Sequence, residues 1–482
     1  MSPIEGRARR VIHNTFLLFG SEKAAQLFSL LVFMYLTRRW DVATYGQYAL
    51  IKNWVAIFAT FSDLGLNALT IREVAHRRSL AGFYLRNVMG IRSLFSMTLL
   101  GLLGLVGMIF HYESLIKVGL VIMGARIVLD CISGGYVYLL QAHERMGVHG
   151  LIVVLSSVIR LLGIVLVVWL GGGIWGACAI WVLASIFSLS ALSFVGIRSK
   201  WVPDFSKWKW DEVGKVLRLA LPLATFWSLQ MLYFRVDTVI LKSLKGNEAV
   251  GLYDAAYTFL NSILSLSQLF GLSTLPVFSS AQDKKSDFGR LAIRSIKLLL
   301  FLGIPITVGG VLLASPLIVL FSGQKYLPAS PFFVVLILST VPFFISNIYI
   351  NVLTVKNPKM LNLLYFTLFV LNIAFNFLLI PTWGATGAAW ATVFCEWIGL
   401  GWGLWMMREY ILGAPKQGFV QSVFVSLAAA GIMGLAINLD PRLYWLVLGP
   451  VIYGVGMYLF KGLDRQDMAS LGSALKIYGK RD

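Results

Sequence analysis

The sequence predicts an all-α polytopic membrane protein with about 14 transmembrane helices. Two six-helix lobes related by a pseudo-two-fold axis are followed by two C-terminal helices. Three observations carry this. Of the 482 residues, 58% are hydrophobic and only 13% are charged, against roughly 25% charged in soluble domains. Apolar runs of about 20 residues, enough to cross a ~30 Å hydrocarbon core, recur from near residue 12 to near residue 460. Glycine motifs also repeat in register about 205 residues apart.

In chain order, the first run, 12–36, lacks a small-residue cleavage site and reads as a retained helix rather than a signal peptide. The second, 43–69, opens on TYGQY and carries Lys52 and Asp63. The runs at 81–110 and 115–140 carry Arg92 and the pair Arg126 and Asp130, and 148–170 carries Arg160. A GGG turn at 171–173 leads into 174–196. Next comes RSKWVPDFSKWKWDEV (198–213), a basic and aromatic stretch suited to lipid headgroups. Residues 214–242 and 249–279 restart the pattern with Arg235, Asp237 and Asp254. The runs 292–321 and 329–355 contain Pro305 and Pro342. PTWG at 381–384 separates 359–381 from 385–409, which carries Glu396, and 418–438 and 443–461 complete the set.

The repeat divides this series. Gly46-Gln-Tyr48 matches Gly251-Leu-Tyr253, Gly65 matches Gly271, and Gly173-Ile-Trp-Gly176-Ala177 matches Gly384-Ala-Thr-Gly387-Ala388. An even number of helices in each unit makes these parallel repeats about the membrane normal. The expected organisation is an N-terminal lobe at 1–197, a cytoplasmic linker at 198–213 and a second lobe at 214–411. Residues 412–482 then hold the last two helices and a tail.

A formal charge of +19 would draw a soluble protein to nucleic acid, but topology accounts for it here. With Arg7, Arg9 and Arg10 in the cytoplasm, about 28 of the 41 Lys and Arg fall on the cytoplasmic side. About 7 lie outside and 6 within helices. That bias orients the chain with both termini cytoplasmic, in the cytoplasmic (inner) membrane, and no nucleic-acid partner is expected. The three cysteines sit in apolar runs, and the five histidines are scattered without metal-ligand spacing. No GxxxxGK[ST], HExxH or GxSxG occurs. Neither a cofactor nor an enzymatic reaction is expected.

An ionisable group at a helix centre costs roughly 2.5–3.5 kcal/mol on insertion scales, so it must face protein, water or ligand. Such groups here are Glu22, Lys23, Lys52, Asp63, Arg92, Arg126, Asp130, Arg160, Arg235, Asp237, Asp254 and Glu396. On the second helix the 3.6-residue period puts Lys52, Ala56, Ala59 and Asp63 in one stripe, with Trp54, Ile57, Phe58 and Phe61 towards lipid. Asp254, Tyr257, Asn261, Ser265 and Gln268 form a similar polar stripe. Each charge also has a plain reading. Arg126 and Asp130, spaced i, i+4, can neutralise each other, and Lys23 and Arg92 can snorkel or pair locally. Asn347 and Asn351 fit interhelical hydrogen bonding. Arg160 has no acidic neighbour within a turn, and Lys52 has no carboxylate at i±3 or i±4. A cationic cavity suits a lipid-borne anion, because arginine grips phosphate oxygens in a bidentate fashion.

Three segments carry a family resemblance. DVATYGQYALIKNWVAIFATFSDLGLNALTIREVA (41–75), VDTVILKSLKGNEAVGLYDAAYTFLNSI (236–263) and NPKMLNLLYFTLFVLNIAFNFLLIPTWGATGAAWATVF (357–394) resemble polysaccharide-biosynthesis (Wzx-type) flippases. These belong to the multidrug/oligosaccharidyl-lipid/polysaccharide superfamily. The resemblance implies alternating-access flipping of polyprenyl-diphosphate-linked oligosaccharides to the outer leaflet. It also implies a lipid-tail groove near the last two helices. By class of role, Lys52, Arg126, Arg160 and Arg235, together with Lys23 and Arg92, are candidates for binding the diphosphate. Asp63, Asp254 and Glu396 are candidates for coupling to protons, sodium or the membrane potential. The expected partners are the lipid-linked oligosaccharide, membrane lipids and the polymerase and ligase machinery of glycan assembly. The alternatives are a multidrug or cation antiporter of the same superfamily and a non-transporting scaffold for glycan-assembly enzymes.

Overall fold

The computed structural model describes residues 3–280, 285–412, 418–460 and 462. The side chains of Arg7, Arg9 and Arg10 lie outside the described residues, as do Lys284 and the tail from 463. Every regular element among them is helical. The helices are α1 (Pro3–Arg39), α2 (Val42–Phe61), α3 (Leu66–His76), α4 (Ala81–Ile109), α5 (Ser114–Ala142), α6 (Met146–Trp169), α7 (Gly173–Arg198), α8 (Trp210–Tyr233) and α9 (Val236–Ser280). Then come α10 (Lys285–Leu312), α11 (Ala314–Ser322), α12 (Ser330–Leu336), α13 (Thr340–Lys356), α14 (Pro358–Met406), α15 (Arg408–Ile411), α16 (Phe419–Leu439) and α17 (Trp445–Leu459). Among the described residues, eight spans are long and apolar enough to cross a membrane, or nine counting α2 and α3 as one bent span. That count does not reach the expected fourteen. One reason is that α14 runs for 49 residues through two expected spans. Its break falls at Gly384 (φ 57°, ψ −135°), inside PTWG, where only glycine is unstrained.

The chain divides into two compact units, Met1–Gly251 and Leu252–Asp482. The helix α8 packs within the first unit. Arg86 donates to Glu212 at 2.6 Å, and Trp208 lies against Gly90. Val213, Val216 and Ala220 join Leu66, Leu85, Val88 and Leu139 in one buried cluster. Within this unit α5 contacts α2, α3, α4 and α7, while α6 packs on α1 and α7. Lipid is as apolar as leucine, so such contacts rest on close packing rather than on water exclusion. Leu162, Leu166 and Trp169 on α6 stay exposed, as a lipid-facing stripe should. In the second unit α10 packs on α13 and α16, α13 on α14, and α16 on α17. There Asn351 donates to the Gly271 carbonyl at 2.7 Å and Asn347 to Ser267 at 3.1 Å. These asparagines are interhelical ties between α9 and α13.

The expected second helix, 43–69, is two helices bent by 43°. Leu64 (φ 50°) and Gly65 (φ 75°) turn left-handed after Phe61. The segment Ser-Asp-Leu-Gly is turn chemistry, so Asp63 stands in the break and not on a stripe with Lys52. The face given to lipid is also partly packed: Ile57 is buried, and Trp54 donates to the Tyr112 hydroxyl at 3.2 Å. The expected seventh helix, 214–242, is likewise interrupted. It ends at Tyr233, and a new helix starts at Val236, leaving Arg235 at the junction.

Asp41 caps α2, accepting from the Thr44 amide at 3.0 Å and the Thr44 hydroxyl at 2.6 Å. These donors hold its carboxyl below the usual carboxylate range. Asp41→Ala is expected to cost about 1 kcal/mol, and Asp41→Asn much less, because the amide oxygen still accepts. A pKa lowered by folding adds stability above the unfolded value, near 3.9, and that contribution fades as pH falls through the folded value. The gap between wild-type and Asp41→Ala melting temperatures in detergent should therefore begin to narrow below about pH 4; a gap constant from pH 7 to pH 3 would contradict the cap.

Candidate functional site

Three helices of the first unit bring two arginines onto one ring. Arg126 on α5 and Arg160 on α6 place their guanidinium carbons 4.7 and 4.6 Å from the centroid of Trp181 on α7. The Trp181 Nε1 donates to the Tyr48 hydroxyl of α2 at 2.8 Å, and Tyr48 is buried. Arg126 reaches Asp130 through its Nε at 2.7 Å, so the i, i+4 neutralisation is realised. Arg160 donates to Ser157 Oγ at 2.6 Å, and among the described residues no carboxylate forms an ion pair with it.

Magnitudes show what this arrangement does. Both guanidiniums lie under 5 Å from one centroid, so they stand within about 9 Å of each other. At an effective dielectric near 20 that separation costs at least about 2 kcal/mol. Each cation–π contact returns roughly 0.5–2 kcal/mol, and Asp130 offsets one charge. The ring therefore helps two cations share a site with one carboxylate, and the cluster of Arg126, Arg160 and Asp130 keeps a formal +1.

Lys52 belongs to this neighbourhood by register. It lies four residues after Tyr48 on α2, hence on the same face, and is half-buried. Arg235 reaches α2 next to it, with Nη1 donating to Asn53 Oδ1 at 2.6 Å; its Nε is buried without a hydrogen bond. Arg126 and Arg160 thus share one ring, Lys52 stands on the Tyr48 face of α2, and Arg235 bonds Asn53 of the same helix.

Two other candidate cations sit elsewhere. Lys23 hydrogen-bonds Gln26 at 2.9 Å and lies 5.3 Å from the Phe19 ring, both on α1. Arg92 is buried on α4, bonded to the Tyr138 hydroxyl and 4.0 Å from Asp63. Tyr138 in turn donates to Asp63 at 2.5 Å. Arg92 and Asp63 are therefore partners in a network at the α2–α3 break, which is the local pairing open to Arg92 from the sequence. Asp254 and Glu396 are both buried in the second unit, where Thr258 donates to Asp254 at 3.3 Å. Trp181, Tyr48, Asn53 and Tyr138 were not singled out by sequence. Tyr48 had a readable signal, standing one turn before Lys52 in GQY; Trp181 had none, since aromatic residues are common along apolar helices.

A family model described as "Polysaccharide biosynthesis protein" matches residues 11–282, and one described as "MatE" matches 222–378. The chain is 24% identical over 286 residues to "Probable flippase AglR" of Haloferax volcanii, covering 58% of each chain. It is 22% identical over 394 residues to "Teichuronic acid biosynthesis protein TuaB" of Bacillus subtilis, covering 78% of each. Its fold matches the structure titled "Lipid II flippase MurJ, inward closed conformation" with TM-score 0.76 and 17% identity, over 95% of this chain and 100% of that one.

Proposed function

This chain belongs to the polysaccharide biosynthesis protein family, and from that premise we propose that it is a flippase for polyprenyl-diphosphate-linked oligosaccharides. Each unit is carried from the cytoplasmic to the outer leaflet of the cytoplasmic (inner) membrane by alternating access, with both termini cytoplasmic. The reading of the chain as a membrane transporter rather than an enzyme agrees with its family and its fold neighbours. The observation that carries the proposal is the pair Arg126 and Arg160 on one indole with a single carboxylate. Guanidinium groups with donors to spare match phosphate oxygens, and Lys52 and Arg235 on and against α2 are the further cations of the proposed site. The names of AglR and TuaB support the glycan-export class.

Two negative charges moving outward across an inside-negative membrane each gain about 2.3 kcal/mol per 100 mV. The field alone then supplies roughly 4–5 kcal/mol per unit. Asp63, Asp254 and Glu396 add coupling to protons or sodium; reconstituted flipping indifferent to potential and to both gradients would remove that role. Polymerase and ligase machinery of glycan assembly receive the product.

Arg160→Ala is expected to cut flipping at least about tenfold, and Lys52→Ala by a smaller factor, since a hydrogen bond to a charged group is worth roughly 1.5–3 kcal/mol. The protein should stay folded in the membrane. Depletion in the host should accumulate a lipid-linked oligosaccharide in the cytoplasmic leaflet, whose sugars identify the substrate. A normal outer-leaflet pool after depletion, or normal flipping by both variants, would sink the proposal. The MatE match over 222–378 favours a second reading, a multidrug or cation antiporter. Two arginines with one carboxylate repel an organic cation, so uptake of such cations by reconstituted vesicles would be the deciding result.

A further inference from the structure

We infer that Trp181 is a positioning residue that sets headgroup selectivity, holding Arg126 and Arg160 as a fixed pair matched to a diphosphate over a monophosphate. The inference rests on the anion-binding reading of the cluster given above.

Three features of the site lead to it. First, the two arginines come from different helices, α5 and α6, and Trp181 on α7 is the group both of them touch. Without the ring, two long cationic side chains would be free to splay apart, driven by their own repulsion. Second, the ring is itself oriented. Its Nε1 donates to the hydroxyl of buried Tyr48, so its position is set by a fourth helix, α2. Third, the polar contacts leave phosphate-binding edges available on both arginines. Arg126 meets Asp130 through Nε, and Arg160 meets the neutral Ser157 hydroxyl through Nη2. Among the described residues the Nη groups of Arg126, and the Nε and Nη1 of Arg160, make no hydrogen bond to protein.

The selectivity follows from the spacing. A monophosphate places its charge on one phosphorus and is satisfied by one bidentate guanidinium. A diphosphate spreads its charge over two linked phosphoryl groups and gains from two guanidiniums held a fixed distance apart. Loss of the ring should therefore weaken diphosphate binding and leave monophosphate binding nearly intact. Plain packing by Trp181 predicts otherwise, with both ligands weakened together or neither affected.

The test uses the full-length protein in nanodiscs, with farnesyl diphosphate and farnesyl monophosphate as probes and dissociation constants measured for each. Wild type should prefer the diphosphate by about tenfold or more. Trp181→Leu should bring that ratio to near one, with the monophosphate constant changed less than about threefold. Trp181→Phe, which keeps an aromatic face, should preserve the ratio within about threefold. Tyr48→Phe keeps the ring and removes the hydroxyl that accepts from the indole, and should lower the ratio about threefold. An unchanged ratio in Trp181→Leu or in Tyr48→Phe overturns the inference, the second even if the leucine variant fails to fold. Equal collapse in the phenylalanine and leucine variants overturns it as well. Wild-type selectivity with an indifferent Trp181→Leu removes only the positioning role, whereas a wild type that binds neither probe removes the anion-binding reading with it.

Discussion

Gly46→Val is expected to abolish recovery of monodisperse, folded protein. A Cβ at Gly46 would lie 1.9 Å from the Asn247 carbonyl oxygen and 2.9 Å from the Gly251 nitrogen. Reciprocally, a Cβ at Gly251 would lie 2.2 Å from the Val42 carbonyl oxygen. These are backbone atoms, so the clash cannot be relieved by a rotamer change and the segments must move apart. Separation would also strain a polar hub beside the contact. There Gln47 and Asn247 both donate to Glu113, and Lys242 lies 3.7 Å from the same carboxylate. Overpacking a filled site costs about 1–3 kcal/mol and occasionally more. The methyl of Gly46→Ala should already lower the melting temperature, and the branched valine should exceed what the unit tolerates. Gly101→Ala is the control, because nothing lies within 4 Å of its Cβ; helix propensity should make it neutral or stabilising by up to about 1 kcal/mol. A Gly46→Val protein eluting as one peak and melting at the wild-type temperature would refute this contact.

The second large effect is expected at Arg92. Its guanidinium is buried and makes contacts with the Tyr138 hydroxyl, Cys131 Sγ at 3.8 Å and Asp63 at 4.0 Å. Arg92→Ala removes the cation that faces a carboxylate stationed in the α2–α3 break. Breaking a fully buried pair costs about 3–5 kcal/mol. Asp63 keeps 40% of its side chain exposed, so water screens part of the loss and about 1–3 kcal/mol is expected. Asp63→Asn should cost less, since an amide oxygen still accepts from Tyr138. The decisive measurement is a double-mutant cycle by thermal melting in detergent. A coupling above about 0.5 kcal/mol between Arg92→Ala and Asp63→Asn is expected, and strict additivity would show that the two do not act together. Gly134→Ala offers an independent route, because its Cβ would fall 2.1 Å from Arg92 Nη1 and should displace the guanidinium.

The sequence by itself determined that this is a helical membrane protein, where the major turns fall and which charged residues must be sheltered. All three follow from local sums. A window of about 20 residues either meets the cost of crossing lipid or does not, and a mid-span charge is expensive wherever the rest of the chain lies. The PTWG turn, realised as the break at Gly384, and the pairing of Arg126 with Asp130 are of this local kind. The break at Ser62–Gly65 was local too, written in Ser-Asp-Leu-Gly, but hydropathy averaged it away. What only the tertiary structure decided was partnership. The 3.6-residue period names the face on which Lys52, Arg92 or Arg160 stands, yet not the helix that face meets. In lipid no gradient of hydrophobicity guides that choice; close packing between particular side chains does. Hence Arg92 and Asp63, 29 positions apart, became partners through Tyr138, while Arg126 and Arg160 were brought together by a tryptophan that no local pattern marks.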